Sequence, residues 1–167
     1  GLLAFARQEP GKETPIVRQR LDLSRLVAES TAAFAEIAGE LDVRLDCSIA
    51  PGLEVVGDAG LLRLVGFNLI DNALKHSPPG NAVQISVTEQ GDSHRLVVAD
   101  RGRGVPAVDR ERIFDRFYRS AQEPGGHAVG GLGLAVVKWA TEVHGGSVRL
   151  LDHGPGATFE VLLPKAS

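Results

Sequence analysis

Residues 59–76 are apolar on almost every side, with Leu61, Leu62, Leu64, Val65, Phe67, Leu69, Ile70, Ala73 and Leu74 in one run. A helix of that composition cannot lie on a surface; other elements must cover it all round. Asp58 stands where an N-cap belongs, and Ser77-Pro78-Pro79-Gly80 stops the run. The rest of the chain must supply the cover.

The flanking segments are suited to that. Residues 16–21 and 43–47 alternate apolar with polar and predict strands, as do the short 55–56, 83–88 and 96–99, the last two joined at Gly91-Asp92. A helix is expected over 24–40, a short one near 109–113, and another over 132–144 closed by Gly145. Strands at 148–151 and 158–163 flank Gly154-Pro155-Gly156. Helices and hairpins mix without a strict βαβ rhythm. The expected fold is therefore α+β, a two-layer α/β sandwich with a mixed, mostly antiparallel sheet on three helices.

Composition narrows the function. The chain has 167 residues, 43% hydrophobic and 23% charged, which fits one folded domain and excludes disorder. A net charge of −3 is not the footprint of a general nucleic-acid binder. Apolar runs such as 96–99 are too short to span a bilayer. The lone Cys47 excludes an internal disulfide and a cysteine-rich zinc site. The chain starts at Gly1 and has no Met, and so reads as a piece of a longer protein.

Four motifs carry chemistry. Asn68 and Asn72 lie one turn apart on the oily helix, and Lys75 and His76 extend their face. A buried carboxamide without partners costs about 1–3 kcal/mol, so either neighbouring loops or a docked polar group must satisfy the pair. Amide oxygens suit Mg²⁺, and Lys75 suits phosphate. Asp100-Arg101-Gly102-Arg103-Gly104 follows an apolar strand; its carboxylate can accept from an exocyclic amine, although Asp and Gly also make ordinary turns. Gly130-Gly131-Leu132-Gly133-Leu134 opens the last long helix and offers free N–H groups to an anion, or forms a plain surface loop. Residues 113–119, IFDRFYR, gather three aromatics around arginines, with Phe114 and Phe117 suited to the core. His94, His127, His144 and His153 have no metal-like spacing and read as structural or surface residues.

The order and spacing of these motifs resemble one family. N-x-x-x-N-A-x-K-H at 68–76, D-x-G-x-G at 100–104, IFDRFYR and G-L-G-L at 131–134 look like the N, first glycine, F and second glycine boxes of the sensor histidine kinase ATP-binding domain, in the GHKL ATPase group. The resemblance runs from about Leu21 to Pro164, and it implies a Bergerat-type ATP-binding fold over 16–167. Residues 1–15 resemble the end of a dimerisation helix and a linker.

By that resemblance, Asn72 ligates Mg²⁺ with help from Asn68, Lys75 contacts phosphate, and His76 lies beside the nucleotide. Asp100 accepts the adenine amine, while Gly102 and Gly104 let the base approach. Arg119 reaches the γ-phosphate; Asn68, Lys75 and Arg119 form the catalytic set. Gly131, Leu132, Gly133 and Leu134 wrap the phosphates, residues 120–130 form a lid, and Thr158 supports Asp100 through water. The implied activity is transfer of the γ-phosphoryl group to a histidine on a separate dimerisation domain, then to a response regulator. No nucleic acid takes part, and the fragment itself is expected to be a monomeric, cytoplasmic piece of an inner-membrane sensor. An anti-sigma-factor-like serine kinase and a regulatory nucleotide-binding module are the alternatives. Two departures stand out: Val129 replaces a usual glycine, and no histidine here sits in a phosphoacceptor pattern. Asn68 stands where hydrolytic relatives carry Glu, which leaves that position a poor base.

Overall fold

A computed structural model describes residues 15–116, 118, 133–151 and 154–167. The strands are β1 (Gln19–Asp22), β2 (Arg44–Ile49), β3 (Glu54–Gly57), β4 (Ala82–Gln90), β5 (Ser93–Ala99), β6 (Ser147–Leu151) and β7 (Thr158–Pro164). The helices are α1 (Leu23–Ala33), α2 (Ala35–Glu40), α3 (Ala59–His76) and α4 (Gly133–Val143). The main sheet has the order β2-β4-β5-β7-β6. Only the β2–β4 pair is parallel.

The alternation read from the sequence sets the faces. Val83, Ile85, Val87, Leu96, Val98, Phe159, Val161 and Leu163 are buried, and they share one face of the sheet with α3, whose Leu69 and Ile70 are sealed from solvent. Asp58 caps α3 by accepting from Leu61 N–H at 3.2 Å. The other face carries Glu160, whose carboxylate accepts from Arg95 Nε at 2.5 Å and Arg149 Nε at 2.6 Å. Burial alone would raise its pKa, but the two guanidinium bonds outweigh that and hold it below the ordinary value.

Three sequence expectations are corrected. The helix over 24–40 is two helices, broken at Phe34, where φ is −97° and ψ is 1°. Ser30 and Thr31 bond back to the carbonyls of Leu26 and Val27, and the Phe34 ring turns edge-on to Phe67 at 5.6 Å. The first strand lies at 19–22 and pairs with β3 in a separate two-stranded ribbon. Residues 107–114 form consecutive turns in place of a short helix. Conversely, α4 ends as expected, with Gly145 at φ +76°.

His144 locks α4 to α3. Its Nε2 accepts from Asp58 N–H at 3.0 Å, and its Nδ1 donates to Ala140 O at 2.5 Å. The ring fits because residue 57 is glycine: a Cβ there would stand 2.4 Å from His144 Cδ2. The Nε2 bond requires the neutral ring, and burial, the largest effect, lowers the His144 pKa although the Ala140 bond opposes it. Below about pH 6.5 the unfolded chain binds this proton and the folded one does not. Stability should therefore fall as pH drops through that range, and His144→Gln should flatten this segment of a urea-midpoint profile.

Candidate functional site

The site begins where β5 runs out. Asp100 N–H donates to Ala157 O at 2.9 Å, extending the β5–β7 ladder by one residue. Asp100 Oδ1 accepts from Gly102 N–H at 2.9 Å and from Ala157 N–H at 3.1 Å. The second oxygen, Oδ2, is buried and has no hydrogen-bond partner among the described residues. Burial raises the Asp100 pKa, while the two backbone bonds and the His76 charge oppose the rise. An orphaned carboxylate oxygen in a buried residue is costly, and the cost is recovered when a donor docks there. An exocyclic amine of a base fits that requirement.

Backbone contacts hold this carboxylate still. A Cβ on Gly102 would stand 2.1 Å from His76 O, so the loop is pressed against the end of α3. Gly104 has φ +73°, and a Cβ there would meet Gly156 O at 3.1 Å. A Cβ on Gly156, at φ +94°, would stand 2.1 Å from Asp100 O. The first two glycines were expected to make room for a base; the hydrogens in question face the protein's own backbone.

The polar face of α3 leads away from Asp100. At 1.5 Å per residue, Asn72 lies about 6 Å and Asn68 about 12 Å behind His76 along the axis. Both carboxamides are half-buried. Asn68 Nδ2 donates to the carbonyl of Gly133, the first residue of α4, at 3.3 Å. That bond joins the N-box helix to the second glycine motif, with Leu134 half-buried beside it against the core. Asn72 makes no side-chain hydrogen bond among the described residues, so its amide oxygen can serve a hard cation. Lys75 Nζ pairs with Asp71 Oδ2 at 2.9 Å on the exposed side of the helix. An exposed pair of this kind is worth little and can be exchanged for phosphate.

Thr158 is not brought to Asp100. Its register partner is Ala99, so it shares the sheet face of Arg95, Arg149 and Glu160. Ala157 occupies the position beside Asp100. Ala157 and Gly156 are the site residues that sequence reasoning missed; the only signal was the Gly154-Pro155-Gly156 turn directly before them. Arg119, Gly131 and Leu132 lie outside the described residues, as do Val129 and residues 1–14.

Residues 57–167 match the family described as histidine kinase-, DNA gyrase B- and HSP90-like ATPases. The chain belongs to this family. Within it, the likeness is to sensor histidine kinases. The chain is 37% identical over 172 residues to the signal transduction histidine-protein kinase/phosphatase MprB of Mycobacterium sp. strain KMS, covering 98% of this chain and 32% of that protein. It is 34% identical over 167 residues to the sensor-like histidine kinase SenX3 of Mycolicibacterium smegmatis, covering 98% of this chain and 43% of that one. This ATP-binding catalytic domain thus spans 32% and 43% of the length of these two relatives. A solved structure of a mycobacterial sensor histidine kinase MprB superposes with a TM-score of 0.77 at 31% identity, covering 89% of this chain and 98% of that one. Full-length ShkA, in complex with AMPPNP, gives 0.81 at 28% identity, covering 99% and 35%. No helix among the described residues is long and apolar enough to cross a membrane.

Proposed function

We propose that this histidine kinase domain binds Mg·ATP between Asp100 and the α3–α4 junction and donates the γ-phosphoryl group to a histidine on a separate dimerisation domain. In that step the bond from the γ-phosphorus to the bridging oxygen breaks, a P–N bond to the imidazole forms, and ADP leaves. The phosphoryl group then passes to a response-regulator aspartate. The observation that carries this reading is Asp100 Oδ2, a buried acceptor without a donor among the described residues, next to a family match that spans the whole site.

Each residue has a stated task. Asp100 takes the adenine amine, with His76 beside the base. Asn72 and Asn68 hold Mg²⁺, whose charge offsets that of the phosphates; Asn68 is oriented for this by Gly133. Lys75 and Arg119 meet phosphate oxygens, and the chain from Gly131 to Leu134 offers backbone N–H groups at the start of α4. Asn68 cannot take a proton from water, so ATP is kept for transfer and its hydrolysis is slow. In the whole protein, residues 1–15 end the dimerisation helix and linker, and 16–167 form the catalytic domain, itself monomeric, on the cytoplasmic side of an inner-membrane sensor.

Calorimetry of the chain with Mg·ATP tests the binding step. Asn72→Ala should weaken Mg·ATP at least tenfold while leaving ATP in excess EDTA unchanged, because only the metal contact is removed. Unchanged Mg·ATP affinity in that variant sinks the metal assignment. Labelled ATP with the matching dimerisation domain tests transfer: label on histidine supports it, and label on serine or threonine favours the serine-kinase reading.

A further inference from the structure

Two polar rungs join α3 to α4. At one, Asn68 Nδ2 donates to Gly133 O at 3.3 Å. At the other, Asp58 N–H donates to Nε2 of His144, the residue just past the end of α4, at 3.0 Å. Asn68 follows Asp58 by ten residues, and Val143, the last residue of α4, follows Gly133 by ten. The helices are therefore antiparallel, with the rungs about 15 Å apart on each. Between the rungs, Leu64 of α3 and Trp139 of α4 pack against Ala135 and Val136. A closely packed helix moves as a rod, so a shift of α4 at one rung is carried to the other.

The chain just before β1 is built into the Asp58 rung. Val17 N–H donates to Asp58 Oδ2 at 3.3 Å, while Oδ1 of the same carboxylate caps α3. Arg18 Nη2 donates to Val143 O at 2.6 Å. The N–H groups of His144, Gly145 and Gly146 turn back to Thr141 O and Glu142 O, and Val143 O takes the guanidinium. A cation suits that position, because the C-terminal end of a helix is the negative end of its dipole. Two consecutive residues thus hold the start of α3 and the end of α4 at once.

We infer that Val17 and Arg18 couple the chain preceding β1 to the nucleotide site: when docked, they keep α4 in the register that places Gly133 on Asn68. The inference rests on the proposed Mg·ATP site, and it adds a route by which movement of the upstream segment regulates that site. Undocking of residues 17 and 18 frees the end of α4, and the Asn68–Gly133 rung loosens with it. The coupling is reciprocal, so nucleotide bound at that rung tightens the docking of 17 and 18 by the same factor.

Calorimetry of the 167-residue chain with Mg·ATP reads one direction. Arg18→Ala should weaken binding about tenfold. Arg20→Ala removes the same charge two residues on, but Arg20 pairs with Glu54 in the ribbon, so its loss should leave affinity unchanged. In an Asn68→Ala background, Arg18→Ala should add little, because the route is already cut. Amide hydrogen exchange of the unaltered chain reads the other direction. Saturating Mg·ATP should raise the protection of Val17 N–H about tenfold. Lys165 N–H, which bonds to Asp92 O at the β4–β5 hairpin, should not follow. Three results overturn the inference while the nucleotide site stands: unchanged affinity in Arg18→Ala, a loss that adds in full to that of Asn68→Ala, or Val17 protection that ignores nucleotide. An equal loss in Arg20→Ala, or an equal rise at Lys165, overturns it too, since the effect would then be general charge or general stability. If the unaltered chain binds no Mg·ATP, the proposed function fails and takes the inference with it.

Discussion

An Asp100→Asn variant should keep its fold and lose adenine nucleotide, with Mg·ATP affinity falling about a hundredfold. The carboxamide has one oxygen, and it must stay where Oδ1 is, accepting from Gly102 and Ala157 N–H. Rotating the amide would aim its NH₂ at two donors. The NH₂ group therefore takes the place of Oδ2 and confronts the adenine amine, donor against donor. Leaving one group unsatisfied costs about 1–3 kcal/mol, and two such groups lie near the hundredfold scale. Stability should move the other way near neutral pH. The Asp100 pKa is raised in the fold, so ionising it costs more folded than unfolded, and that cost appears as pH rises through the folded value. The amide is free of this cost. Calorimetry with ATP and with inosine triphosphate, whose base carries a carbonyl at the amine position, separates base reading from damage. Asp100→Asn should shift the preference toward the carbonyl base; equal losses for both nucleotides would mean that Asp100 does not read the base.

The elements most legible in the sequence were those whose local signals agreed with their surroundings. α3 announced itself because apolar residues on every side leave a helix no exposed option, and Asp58 and Ser77 mark its ends. β4 and β5 carry clean alternation around Gly91, and the register confirms it from Gln90–Ser93 to Gln84–Ala99. Elsewhere local pattern was insufficient. Nothing in the alternation of 16–21 distinguishes a strand of the main sheet from one in a ribbon with β3, because pairing is a long-range choice. The break at Phe34 likewise comes from packing against Phe67 on another helix.

The site divides along the same line. Asp100, Asn68, Asn72 and Gly133 were legible as candidates because unusual residue types stand at fixed spacings, and the fold brings Asn68 to Gly133 across 65 positions. One reading failed on geometry that one strand cannot reveal. Thr158 is next to Ala157 in sequence yet on the opposite face of β7, since side chains alternate. Gly102 and Gly104 were read as room for a ligand, and on the side where a Cβ would stand each also admits a backbone carbonyl, that of His76 or of Gly156.

Gly156→Ala should be among the most damaging single substitutions in the chain, although it touches no nucleotide. Two independent strains meet there. The backbone sits at φ +94°, where a side chain is disfavoured by about 1–3 kcal/mol. The added Cβ would also stand 2.1 Å from Asp100 O and 2.8 Å from Arg101 Cα, both backbone atoms that cannot rotate away. Overpacking of this kind costs about 1–3 kcal/mol more, so a loss near 3 kcal/mol is expected in urea unfolding. Relief is possible only if the 154–156 turn and the strand end carrying Asp100 separate, which stretches the Asp100 N–H to Ala157 O bond and the Ala157 N–H to Oδ1 bond together. Stability and adenine affinity should therefore fall together in Gly156→Ala, whereas Asp100→Asn uncouples them. Gly154→Ala gives a control two residues away: its φ is also positive, at +53°, but an added Cβ meets nothing within 4 Å. It should lose only the conformational part, about 1 kcal/mol, and bind nucleotide normally. If Gly156→Ala proved no worse than Gly154→Ala, the contact between this turn and Asp100 would not be what holds the Asp100 carboxylate in place.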